Sequence, residues 1–168
     1  PDVVDADYNG ATDVAVRDLQ GPGATSLASA RAPLPVSSTP SNITATSSAG
    51  YDLSEDGRFV ALRSFAADLV PVDTRSNEQA YLRDLQRGVT TLLSVNADGT
   101  AGGNGHSHGS GISADGRYVL LTSEASDLAG GVIDANHFFD VYLRDLQAGV
   151  TTLVSVSDAG EVASRILE

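Results

Sequence analysis

The sequence predicts an all-β fold built from tandem copies of one small antiparallel sheet. Two observations lead there: segments rich in Val, Leu, Tyr and Thr are bounded by Gly and Asp, and the same segments return with a period of about 60 residues. Composition supplies a third. Trp, Met and Cys are absent, aromatics make up 5%, and Gly numbers 17 in 168 residues, which suits many short strands and turns rather than a helical bundle.

Taken in chain order, Asp13-Val14-Ala15-Val16-Arg17-Asp18-Leu19-Gln20 reads as a strand running into a turn, and residues 1–30 form the outer half of a first unit. Residues 31–49, rich in Pro, Ser and Thr, are too long for a tight turn and read as a surface connection. The first complete unit covers 50–96. It opens with an inner strand, reverses at Asp56-Gly57, continues from Arg58 through Phe59-Val60-Ala61-Leu62, returns through Tyr81-Leu82-Arg83-Asp84-Leu85-Gln86, and closes on Gly88-Val89-Thr90-Thr91-Leu92. Gly takes positive φ at little cost, so an Asp-Gly pair between two strand-like runs marks a hairpin. The second complete unit, 97–158, repeats the series with Asp115-Gly116, Arg117-Tyr118-Val119-Leu120-Leu121, Tyr142-Leu143-Arg144-Asp145-Leu146-Gln147 and Gly149-Val150-Thr151-Thr152-Leu153. Residues 159–168 form a tail.

The combination Ser-x-Asp-Gly-Arg-aromatic-Val, then Ala-x-Asp-Leu, then Tyr-Leu-Arg-Asp-Leu-Gln-x-Gly-Val-Thr-Thr-Leu resembles the TolB-like, WD-like repeat of bacterial β-propellers, over nearly the whole chain. The resemblance implies two complete four-stranded blades plus an outer half-blade, in a secreted or periplasmic protein. Propellers of this kind close with more blades than that. The uncovered edge and apolar face of a half-blade then require either further blades of the same protein or a homo-oligomer.

A formal charge of −12 repels phosphate backbones, and no Lys/Arg cluster offers a local exception, so nucleic acid is excluded as a partner class. No apolar run approaches the length of a membrane-spanning helix. Without cysteine there are no disulfides, thiolate metal sites or Cys nucleophiles.

The acidic surface suits a hard cation. In Asp5-Ala6-Asp7-Tyr8-Asn9-Gly10-Ala11-Thr12-Asp13, oxygens of Asp5, Asp7, Asn9 and Asp13 recur at short intervals, Gly10 permits a sharp turn, and the Ala11 carbonyl falls where a backbone ligand is expected, so calcium is the expected ion. The string resembles the calcium loops of integrin-like propellers. The last unit keeps Asp134, Asn136 and Asp140 and is a weaker calcium candidate. In the middle unit only Asp73 survives, Arg75 replaces the Asn and Gln79 the final Asp. There a guanidinium is expected where the ion would sit. In all these loops, Asp and Asn can also simply cap turns.

Gly105-His106-Ser107-His108-Gly109 fits the G-x-S-x-G nucleophile pattern, but that elbow needs a strand before it and a helix after it, and here a Gly-rich stretch precedes and a strand follows. His106 and His108 could hold zinc with His137 or a carboxylate. The recurring Arg17-Asp18, Arg83-Asp84 and Arg144-Asp145 pairs point to opposite strand faces and are expected to serve contacts between blades and turns. The expected function is a non-catalytic scaffold presenting loops to protein or glycan partners, with calcium as its only expected cofactor. The alternatives are a propeller module of a larger hydrolase or lyase whose catalytic residues lie elsewhere, and a self-associating assembly element.

Overall fold

The computed structural model describes residues 15–17, 25–27, 51–131, 134, 138–160 and 162. Over these the chain is all β, with ten strands and no helix. A two-stranded hairpin pairs β1 (Ala15–Arg17) with β2 (Thr25–Leu27). A first four-stranded antiparallel sheet runs in chain order through β3 (Asp52–Leu53), β4 (Phe59–Ser64), β5 (Gln79–Asp84) and β6 (Val89–Leu92). The second repeats that order through β7 (Ser107–Ile112), β8 (Tyr118–Ser123), β9 (Asp140–Asp145) and β10 (Val150–Leu153). The strands thus fall where the repeat places them.

The Ser-x-Asp-Gly-Arg-aromatic signature explains itself as a turn. Ser54 Oγ donates to Asp56 Oδ1 and accepts from the Phe59 amide, while the Gly57 amide donates to the Ser54 carbonyl at φ +71°. Ser113, Asp115, Gly116 and Tyr118 reproduce every one of these bonds. The Arg that follows reaches across its sheet. Arg58 grips Asp84 through Nε at 3.2 Å and Nη2 at 2.6 Å, and Arg117 grips Asp145 at 3.1 and 2.7 Å. These paired forks tie the second strand to the end of the third. The same carboxylates then accept the amides of Gln86 and Arg87, and of Gln147 and Ala148, to close the next turn. Asp84 and Asp145 of the Arg-Asp pairs therefore serve turns, whereas the contacts between sheets also expected of these pairs are not among their bonds, which stay within their own sheets; Asp18 of the first pair lies outside the described residues.

Side-chain alternation sends β4 and β5 to two different cores. Val60, Leu62, Tyr81 and Leu92 point one way, joined by Val16 of the hairpin. Ala61, Ala80, Leu82 and Leu93 point the other way, onto Val119, Leu121, Tyr142 and Leu153 of the second sheet. A strand buried on both faces carries no polar alternation, and β5 is buried along its whole length while β9 alternates. Among the described residues the first sheet is accordingly covered on both sides, and its neighbour on one. The Tyr81 and Tyr142 hydroxyls donate to the Ala66 and Ala125 carbonyls, so each large ring is both packed and satisfied.

Candidate functional site

The strongest sequence candidate for a cation, the string holding Asp5, Asp7, Asn9, Ala11 and Asp13, lies outside the described residues, as does Asn136 of the last loop. Asp134 and Asp140 are described and both are buried. Asp140 sits at the start of β9, where Oδ1 accepts the Ser155 hydroxyl at 2.7 Å, and Asp134 Oδ2 lies 3.3 Å from the Tyr142 hydroxyl. Burial, reinforced by the negative charge of Asp134, pushes the Tyr142 phenol well above its ordinary range, so it remains a donor. Among the described residues no three His, Asp or Glu side chains gather closely enough to hold a metal.

The middle loop shows what replaces the acidic set. Gln79 stands at the start of β5 as Asp140 does at the start of β9. Its Oε1 accepts the Ser94 hydroxyl at 2.5 Å, matching Asp140 with Ser155. Its Nε2 donates to the carbonyls of Thr74 at 3.2 Å and Gly103 at 3.0 Å. The amide thus supplies positive hydrogen-bond character between two carbonyl oxygens, a job a carboxylate cannot do. Arg75, expected to fill the ion's place with its guanidinium, turns outward instead. Its amide donates to Asp73 Oδ1 while Nη1 reaches Asp127 at 2.8 Å, with the backbone at φ +54°. The expectation named the wrong side chain: a neutral amide reaches both carbonyls from the adjoining strand at lower desolvation cost than a guanidinium.

The histidine pair joins a different constellation. Ser107, between them, is fully buried and bonds Ser123 Oγ at 2.7 Å, because adjacent strand residues face opposite ways. His106 Nδ1 accepts the Glu78 amide at 3.2 Å. His108 Nε2 lies 3.1 Å from Arg63 Nη1 and 3.3 Å from Glu78 Oε2, and Arg63 Nε lies 3.5 Å from Glu78 Oε1. Phe65 meets His106 edge-on at 5.7 Å and Phe139 lies over His108 at 5.2 Å. This end of the two sheets therefore presents two ring pairs, Phe65 with His106 and Phe139 with His108, beside the Arg63-Glu78 pair. Phe65, Phe138 and Phe139 are all exposed, in a chain with only four Phe.

Arg63, Glu78, Phe65 and Phe139 were not among the residues the sequence singled out. They come from three separate stretches of the chain, Arg63 and Phe65 in one, and belong to no motif. The available signal was their failure to repeat: Glu124 follows Ser123 where Phe65 follows Ser64.

At the opposite end, a cleft of about 530 Å³ opens between the sheets, lined by Phe59, Leu82, Arg87, Thr91, Asp115 and Arg117 among others. Two of its charged groups, Asp84 and Arg117, are committed to partners in their own sheets. Compared with known proteins, the chain matches no family model and no curated protein.

Proposed function

We propose that this chain is a stretch of an extracytoplasmic bacterial β-propeller of the TolB-like kind, two blades and an outer half-blade, acting as a non-catalytic scaffold that presents loops to protein or glycan partners. The observation that supports this reading is how the repeated polar residues are used: Ser54, Asp56, Arg58 and Asp84 bond one another or local amides within one sheet, as Ser113, Asp115, Arg117 and Asp145 do in the next. Residues so committed hold a framework together and leave chemistry to the loops. Buried Ser107, bonded to Ser123, is poorly placed as a nucleophile, and this favours the scaffold over the hydrolase reading.

Calcium belongs to the same proposal. Asp5, Asp7, Asn9 and Asp13, with the Ala11 carbonyl, form an all-oxygen donor set suited to that ion, and Asp134, Asn136 and Asp140 form a smaller one. A bound cation would tie each loop to the strand that follows it.

Thermal melting in calcium and in EDTA tests the cation: calcium at about a hundredfold its Kd should stabilise by about 2.7 kcal/mol, and coincident curves would remove it. The scaffold is tested by exposing wild type, Ser107→Ala and His108→Ala to peptide and polysaccharide panels with both binding and turnover followed. Retention without turnover is expected. Turnover that collapses in Ser107→Ala would establish an enzyme.

A further inference from the structure

We infer that the cleft beside Arg144 binds a small carboxylate carried on an apolar body. The cleft, about 400 Å³, is bounded by Ala97 after β6, by Leu128 and Ala129 after β8, and by Arg144, Thr151 and Leu153 of the β9–β10 hairpin. That volume lies within the range of small-molecule sites. Arg144 stands opposite Val119 and Thr151 in register, so it points to the side of the second sheet that packs on the first. A further blade laid on the other side of that sheet would leave it in place.

Arg144 is held in position yet has no counter-ion. Its Nη1 donates to the Gly149 carbonyl and to the Thr151 hydroxyl, each at 3.0 Å. Among the described residues no group bonds its Nε or Nη2, and no carboxylate pairs with it. Arg58 and Arg117 show what that edge of a guanidinium does in this protein, since each takes a carboxylate through Nε and Nη2 together. Two parallel donors match the two oxygens of a carboxylate. Burial disfavours the charged form of Arg144, and Asp145, the carboxylate that offsets this, is already gripped by Arg117. An incoming anion would supply the missing counter-charge. Thr151 adds a second donor, because its oxygen accepts from Arg144 and its proton remains to be given.

The rest of the lining sets the body of the ligand. Ala97, Leu128, Ala129 and Leu153 are apolar, and Arg144 is the one charged residue of the described lining. A bare anion would leave that apolar surface wet, and a neutral apolar molecule would leave the guanidinium unpaired. A carboxylate on a short hydrocarbon or aromatic body satisfies both. The net charge of −12 does not oppose a monoanion here, because physiological salt screens exposed charges beyond roughly 8 Å and Asp145 is neutralised by Arg117. The counterpart Arg83 bonds Thr90 in the same way but is only 8% exposed, whereas Arg144 is half-buried. The inference goes beyond the scaffold reading and rests on neither calcium nor propeller closure, so each can fail without the other.

NMR titration, following the Arg144 side-chain Nε–H resonance and backbone amides, tests it. The probes are hexanoate and benzoate, the corresponding amides hexanamide and benzamide, and acetate. The proteins are wild type, Arg144→Gln, Ala97→Trp, whose indole fills the cleft from an exposed position, and Arg87→Gln, which makes the same charge change at a side chain 74% exposed in the other cleft. Hexanoate and benzoate should bind wild type and Arg87→Gln alike. Binding roughly tenfold or more weaker is expected for the amides, for acetate and for the two cleft variants, the loss that follows from one charge-assisted hydrogen bond. Circular dichroism checks that each variant keeps its strands. Should Arg144→Gln unfold, the comparison of acid with amide on wild type and on Ala97→Trp decides. No saturable binding of either acid to wild type, amides that bind as well as their acids, or cleft variants that bind like wild type would each overturn the inference.

Discussion

Gly57 and Gly116 hold the same place in the two hairpins, at φ +71° and +70°, but only one is crowded. Around Gly57 a Cβ would meet nothing within 4 Å, whereas at Gly116 it would enter the Phe59 ring. Gly57→Ala should cost about 1 kcal/mol for the left-handed backbone alone. Gly116→Ala should add roughly 1–3 kcal/mol of overpacking. Urea denaturation of the two variants side by side measures the difference, and equal costs would mean that Phe59 moves aside freely. Acid stability is argued at this scale too. The hydrogen bonds from Arg58 hold the Asp84 carboxyl below its ordinary range, and those from Arg117 do the same for Asp145. A carboxylate whose folded-state pKa is depressed contributes stability above its unfolded value, and that contribution is lost as pH falls through the folded one. The wild type should therefore weaken below about pH 4. Asp84→Asn and Asp145→Asn should each be less stable at neutral pH yet lose less on acidification, as denaturant midpoints between neutral pH and pH 3 would show.

Each strand is legible from its own residues, and the loops between strands are less so. The Asp-Gly hairpins and the Arg-Asp-Leu turns were readable because every bond that makes them is local or falls within one sheet. The middle loop was misread at Arg75 because the decisive contacts, Gln79 with Ser94 and Gly103 and Arg75 with Asp127, join residues remote in the chain. Gln79→Leu removes the acceptor of the Ser94 hydroxyl proton and one of the donors to the Thr74 and Gly103 carbonyls, both of which keep Asn77, and should cost about 1–3 kcal/mol. Gln79→Asp keeps an acceptor for Ser94 but removes the donor between the carbonyls. If a cation does in the acidic loops what the amide does here, calcium should restore part of the stability of Gln79→Asp and none of that of Gln79→Leu. Melting curves of both variants with calcium and with EDTA separate the two outcomes.

Across the whole molecule, equivalent residues have unequal weight because the sheets stack in one direction only. Leu82 is buried against the second sheet, and Leu143, its counterpart, lies on the open face. Leu82→Ala should cost about 2–5 kcal/mol, as large cavities in a core do. Leu143→Ala, at a half-buried site, should cost under about 1 kcal/mol. Equal losses in dilute samples would mean that the outward face is covered by this chain itself.

Strand order, hairpin positions and the identity of the repeated unit were determined by the sequence alone, since period-two alternation, Asp-Gly turns and self-similarity are properties of neighbouring residues and need no partner. Which apolar face is covered, which histidine meets Glu78 and Arg63, and why an amide replaces an acid at Gln79 were decided only by the tertiary structure. Those outcomes depend on contacts between residues distant in the chain, and the same Tyr-Leu-Arg-Asp segment is buried or half-exposed according to what stacks upon it.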